Sequence, residues 1–295
     1  MHEARAGLRF LQTLALTTVA MLAFAANSLL CRLALQQELI DPASFASIRL
    51  VAGAITLAAI VRLRSDRSAP GRADWLAAAM LFGYVAFFSF AYLTLPAGTG
   101  ALILFGAVQV TMFSVGLRSG EMFRPIAWFG LALAVAGLIY LVLPGVAAPA
   151  PLGAAMMAIA GVAWGVYSLR GRGVTDPLAA TAGNFVRAAP LALVLSLLLA
   201  TNAHADAAGV ALAIASGAVT SGIGYVIWYA ALSRLSAIRA ATVQLSVPLI
   251  AAFGGVVLLS EAITPRLLAA SVAILGGIAL VLSTRSQNVR SQRRS

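Results

Sequence analysis

Apolar residues in this chain neither alternate nor recur as a stripe. They run on in stretches of roughly 17–25, long enough to cross the ~30 Å hydrocarbon core of a bilayer as helices. Ten such spans are expected: Phe10–Leu30, Ala43–Val61, Trp75–Leu95, Gly98–Leu117, Ile126–Leu143, Leu152–Leu169, Leu178–Ala200, Ala208–Leu232, Ala240–Ser260 and Leu267–Ser283. The expected fold is an all-α integral membrane bundle. Most gaps are short, which leaves no room for a soluble domain or a long binding loop.

The gaps fall into two alternating sets. One set holds Arg5, Arg9, Arg62, Arg64, Arg67, Arg72, Arg118, Arg124, Arg170, Arg172, Arg234, Arg239, Arg285, Arg290, Arg293 and Arg294; the other holds Arg32 and Arg266 alone. Cytoplasmic loops collect positive charge. The arginine-rich set therefore reads as inside, both termini as cytoplasmic, and the location as a bacterial inner membrane. A miscounted span would break the alternation.

Composition narrows the class further. The chain has 295 residues, 61% hydrophobic and 10% charged, whereas soluble domains carry about 25% charged residues. The net charge of +11 does not imply nucleic acid, because the arginines are scattered over separate short segments without interleaved aromatics. They fit a topology signal and attraction to anionic lipid headgroups. The first span is too long for a cleaved signal peptide. The single cysteine, Cys31, has no internal disulfide partner.

Sliding the sequence against itself by 140 residues brings Phe24, Ser28 and Leu29 onto Trp164, Ser168 and Leu169. The same offset matches Phe113 with Phe253, Glu121 with Glu261, Pro125 with Pro265 and Gly137 with Gly277. The Asp41-Pro42 and Asp176-Pro177 pairs support a duplication at a slightly shorter offset. Each half has an odd number of spans, so the second copy enters the membrane from the opposite side. The expected organisation is two inverted five-helix repeats around a central cavity, residues 1–145 and 146–295, a recurrent transporter design. The seam is the proline-rich segment Pro144–Pro151.

The layout, the Leu259–Ala262 run Leu-Ser-Glu-Ala followed by Pro265 and Gly276-Gly277, and the in-span arginine of span 2 resemble the EamA type of the drug/metabolite transporter superfamily. The overall likeness is to the YddG-type exporters of aromatic and neutral amino acids. The resemblance covers nearly the whole chain and is strongest in spans 8 to 10. It implies export of a small metabolite through a cavity surrounded by spans 1, 3, 4, 6, 8 and 9.

All nine acidic residues sit in tails, loops or span ends, and both histidines lie outside the spans. A proton-coupled carrier needs a titratable relay within the membrane, and a lipophilic-cation exporter needs a buried anion to pair with its cargo. The expected cargo is a neutral or zwitterionic small molecule moving without a mid-membrane proton relay. Glu121 and Glu261 are the two acids that could act in coupling; helix-end capping is the alternative. No metal or cofactor is expected, and an intramembrane enzyme lacks the parts for a nucleophile. A channel would call for charged pore rings, and none is evident. The runner-up cargo is a neutral drug-like compound, a sugar-like metabolite or a vitamin.

Candidate cavity residues are the in-span amides Asn27, Gln109, Asn184 and Gln244, and the deep aromatics Tyr84, Trp164, Tyr167, Tyr225, Trp228 and Tyr229. The amides equally suit helix–helix hydrogen bonding, and the aromatics equally suit core packing. Trp75 and Trp128 fit an interfacial belt. Arg49 and Arg187 lie in spans 2 and 7; each could bind a carboxylate, act in gating, or hold backbone carbonyls, and Arg49 is close enough to its span end to snorkel. Gly161 and Gly165 form a close-packing pair. Pro248 is expected to kink span 9. With both halves in one chain, a monomer should suffice.

Overall fold

The structure, a computed structural model, describes the chain except residues 1, 65–73, 121–122, 146–147, 172–173, 236–239, 241–242 and 293–295. For 2–10 and 284–292 only the backbone is described. Among the described residues ten main helices follow one another: α1 (His2–Gln36), α2 (Pro42–Leu63), α3 (Trp75–Ala91), α4 (Ala97–Arg118), α5 (Pro125–Val142), α6 (Pro151–Arg170), α7 (Pro177–Leu198), α8 (Ala207–Leu232), α9 (Ser246–Leu259) and α10 (Pro265–Gln292). Of these, eight are long and apolar enough to cross a membrane, and α3 and α9 are shorter apolar helices.

Prolines and acids set the helix starts. Asp41 caps α2, accepting from the Ala43 and Ser44 N–H groups, with Pro42 in the first turn. Asp176 caps α7 in the same way, with Pro177 behind it. A carboxylate satisfies first-turn donors, and proline at the first position gives up an N–H that has no partner there. Asp74 and Asp206 cap α3 and α8.

Three elements depart from the sequence expectation. Span 3 stops at Ala91 rather than Leu95, because the chain must turn before Pro96 to begin α4. Span 9 is interrupted: Val243 and Gln244 are helical, Leu245 forms a turn, and α9 runs from Ser246, with Pro248 lacking the N–H that would bond the Gln244 carbonyl. The middle of α8, Ala215–Ile223, winds as a π-helix. Pro190, inside α7, is the proline within a continuous helix.

The helices pack as α5 on α10, α2 on α7 and α4 on α9. Further pairs are α3 on α6, α4 on α6, α1 on α8, α1 on α9, α2 on α8 and α3 on α7. Small residues permit the close pairs. A Cβ on Gly161 would stand 2.6 Å from both Ala107 Cβ and the Leu104 carbonyl, and one on Gly165 would stand 3.0 Å from Thr111. Gly130 and Gly277 face each other across α5 and α10, backbone against backbone. The outer surface carries large apolar side chains such as Ile55, Phe129, Leu197, Phe253 and Val272, while Asn27, Arg49, Thr181, Asn184, Ser216, Thr220 and Ser221 are buried. An apolar exterior around a partly polar interior is the arrangement of a multi-pass membrane protein.

The two ends of the bundle differ. Arg62, Arg64, Arg118, Arg124, Arg170 and Arg234 sit at one end, and Arg32 and Arg266 at the other.

Candidate functional site

A cavity of about 30 Å³ lies in the middle of the bundle. Phe24, Asn27 and Ser28 of α1, Tyr84 and Phe88 of α3, Leu104 and Phe105 of α4, Trp164 of α6, Tyr225 of α8, and Gln244 ahead of α9 line it. Its walls are aromatic: Trp164 lies 4.9 Å from Tyr84, 5.4 Å from Tyr167 and 6.0 Å from Tyr225, ring centre to ring centre. The space is on the scale of a water molecule.

Asn27 is the polar anchor of the α1 wall. Its Oδ1 accepts from Ser216 at 2.8 Å, Thr220 at 2.6 Å and Ser221 at 3.4 Å. The π-turn places all three hydroxyls on one side chain. It also brings the backbone of Gly217 against the Arg49 carbonyl, where any side chain would collide.

Arg49 does not snorkel. It is 1% exposed, and its guanidinium carbon sits 5.4 Å from the Tyr84 ring centre and 5.0 Å from that of Phe88. Nη2 donates to the Tyr84 hydroxyl at 3.2 Å and Nε to Ser221 at 3.4 Å, while Nη1 is buried without a hydrogen-bond partner. The ion pairs among the described residues, Arg32–Glu261, Arg64–Asp176 and Arg170–Asp74, do not include it.

A second, larger cavity of about 560 Å³ opens toward the arginine-rich end, lined by residues including Ile60, Arg64, Asp176, Val226 and Tyr229. Tyr225 and Tyr229 stack one helical turn apart, centres 6.3 Å, and stand between the two spaces. The Tyr229 hydroxyl shares a 2.7 Å hydrogen bond with Thr181, to which Tyr167 donates at 3.4 Å.

The opposite end is closed by Glu261. Its Oε1 accepts from Arg32 Nε at 3.1 Å and its Oε2 from the Ala97 N–H at 2.8 Å. Arg32 also donates to the Tyr92 and Leu93 carbonyls. Ser260 adopts a left-handed φ of 54°, which turns the chain so that Glu261 faces back into the bundle.

Of the residues expected from sequence, Asn27, Tyr84, Trp164, Tyr225 and Gln244 line the central cavity, and Tyr229 lines the larger one. Tyr167 is buried behind Trp164 beside Thr181, and Asn184 is buried in α7. Trp228 packs edge-on against Phe24 at 5.8 Å. Gln109 is half-buried on α4 and lines neither of these two cavities. Arg187 is half-buried, its guanidinium folded back over Gly183 of its own helix. Glu121 lies outside the described residues. Phe24, Phe88, Phe105 and the Ser216/Thr220/Ser221 group were not singled out from sequence; the four- and five-residue spacing of the hydroxyls was the available signal.

Residues 151–283 match the EamA-like transporter family. The chain is also 53% identical over 274 residues to uncharacterized protein PA1977 of Pseudomonas aeruginosa, covering 93% of this chain and 96% of that one. The chain belongs to the EamA-like transporter family. One solved crystal structure of a protein shares the fold with a TM-score of 0.65, covering 92% of this chain and 98% of its own, at 20% identity. In this EamA-family transporter the family match begins at the first residue of α6 and ends within α10.

Proposed function

We propose that this EamA-family transporter exports small zwitterionic metabolites, aromatic and other amino acids first among them, from the bacterial cytoplasm by alternating access. The observation that carries the reading is the central cavity. Six segments converge on it, with six aromatic rings among its walls and the amides Asn27 and Gln244 beside them. Aromatic walls suit an apolar side chain, and amides offer both donors and acceptors to an amino-acid head.

The helix pairing supports two inverted repeats. Exchanging the first five helices with the last five maps α2–α7, α4–α9 and α5–α10 onto themselves. It also maps α3–α6 onto α1–α8, α4–α6 onto α1–α9, and α2–α8 onto α3–α7. A symmetric pairing lets the halves trade conformations, which is the basis of alternating access. The arginine-rich end is then cytoplasmic, and the Arg32–Glu261 end faces outward.

Counterflow of labelled phenylalanine, methionine and threonine into proteoliposomes, without ion gradients, tests this. Accumulation driven by unlabelled amino acid inside is the expected result. Uptake only with a proton gradient would replace the uncoupled mechanism. Silence in both conditions, from folded protein, would move the cargo to a drug-like, sugar-like or vitamin-like compound.

A further inference from the structure

Arg49 is a permanently charged group buried in the membrane-spanning bundle, and no acidic side chain among the described residues neutralises it. Arginine keeps its proton at any accessible pH. An intramembrane charge is costly and is retained where it meets a partner. What Arg49 has instead is partial compensation. Two ring faces stand over it, a tyrosine hydroxyl and a serine hydroxyl take two of its donors, and Nη1 has nothing.

The compensating groups belong to the cavity. Tyr84 and Phe88, which hold the guanidinium, are wall residues, and Ser221 links Arg49 to Asn27, another wall residue. The cavity as it stands is far smaller than a metabolite, so admission of cargo displaces the wall rings. Moving Tyr84 and Phe88 uncovers the guanidinium and frees Nη2 beside the unpartnered Nη1. Two adjacent N–H groups of a guanidinium form the fork that binds a carboxylate through both oxygens.

We infer that Arg49 is the anion subsite of the central cavity, and that a carboxylate defines the transported class. This rests on the transporter reading and narrows it. Compounds keeping the aromatic ring but lacking the acid, such as phenylalaninamide and phenylacetamide, are excluded. The closed state holds the site in reserve: the rings cover the charge when no acid is present.

The test is the thermal unfolding of detergent-purified full-length protein with phenylacetate, phenylacetamide, phenylalanine or phenylalaninamide. The two acids should raise the unfolding temperature and the two amides should not. The acid-specific shift should vanish in Arg49→Gln, be weakened in Arg49→Lys, which keeps the charge without the fork, and persist in Tyr84→Phe, which keeps the guanidinium and the ring. If Arg49→Gln does not fold, Lys and Phe decide alone: equal acid shifts in wild type and Arg49→Lys would overturn the forked contact. Equal shifts from acids and amides, or no shift from the acids in wild type, would overturn the subsite. Counterflow separates the two readings. Acid-over-amide discrimination without amino-acid counterflow would keep the subsite and reject the amino-acid cargo. Amino-acid counterflow with an unchanged KM in Arg49→Gln would do the reverse.

Discussion

Glu261 Oε1 stands 3.1 Å from Arg32 Nε although 229 residues separate them in the chain. The same carboxylate accepts the Ala97 N–H. Pro96, which precedes α4, offers no side-chain acceptor to that helix start, so an acid from the far half of the chain supplies the cap. Glu261 is here a tie between α1, α4 and the α9–α10 turn, with both of its oxygens occupied.

Removing that tie should be expensive. Both side chains are largely buried, and breaking a buried pair from one side costs about 3 kcal/mol or more. Glu261→Ala should therefore lower stability by that order in detergent unfolding. Glu261→Gln should cost less, because an amide oxygen can still cap α4. A double-mutant cycle with Arg32→Ala would measure the pair itself, and a coupling near zero would refute the tie.

The α5–α10 contact gives a second test with an internal control. A Cβ on Gly130 would stand 2.6 Å from the Gly277 carbonyl, whereas one on Gly276 would meet nothing within 4 Å. Gly130→Ala should cost about 1–3 kcal/mol through overpacking. Gly276→Ala should be near neutral, within about 0.5 kcal/mol. Equal effects at the two positions would mean that α5 and α10 are not in close backbone contact.

Acid stability should depend on Asp74. Its partial burial raises the carboxyl's pKa, but the hydrogen bonds from Arg170 and the Ala77 N–H outweigh this and hold it below the ordinary value of 3.8. The ionised carboxylate thus contributes stability that is fully present above 3.8 and is lost as pH falls through the lower folded value. Asp74→Asn should be less stable than wild type at neutral pH, and the gap should close below 3.8. Unfolding scans over an acid series would measure it; a gap constant with pH would remove Asp74 from the account.

Trp164 touches three other rings of the wall. If cargo is aromatic, Trp164→Ala should raise the counterflow KM for phenylalanine by up to roughly tenfold, since ring pairs contribute about 0.5–1.5 kcal/mol. The KM for threonine should move less. Equal changes for both would argue for packing alone.

Much of this was legible in the sequence because membrane spans and their ends have local causes. Apolar runs located the helices, Asp-Pro pairs located two starts, and Gly161 and Gly165 marked the α4–α6 contact. The depth of Tyr84, Trp164 and Tyr225 in spans 3, 6 and 8 marked them as candidates, and the structure brings the three together with Asn27 and Gln244 beside them. What stayed hidden depends on partners distant in sequence. Arg49 lies near a span end, and only the packing of Tyr84, Phe88 and Ser221 around it shows that it stays inside. Nothing near Arg32 announces Glu261. The early end of α3 at Ala91 was obscured because the residues that follow are nearly as apolar as the helix.

The π-turn of α8 has one further consequence. Such a turn accommodates an extra residue that an α-helix could shed. Each residue added to an α-helix turns the next one by about 100° around the axis. Shortening Ala215–Ile223 by one residue would let the wide turn close to an ordinary α-helical one with Tyr225 and Tyr229 still facing the bundle, whereas the same loss from a stretch already α-helical would swing both rings about the axis. The π-turn is therefore the place where α8 can lose a codon and keep its aromatic wall, the loss falling instead on the hydroxyls of Ser216, Thr220 and Ser221 that meet on Asn27.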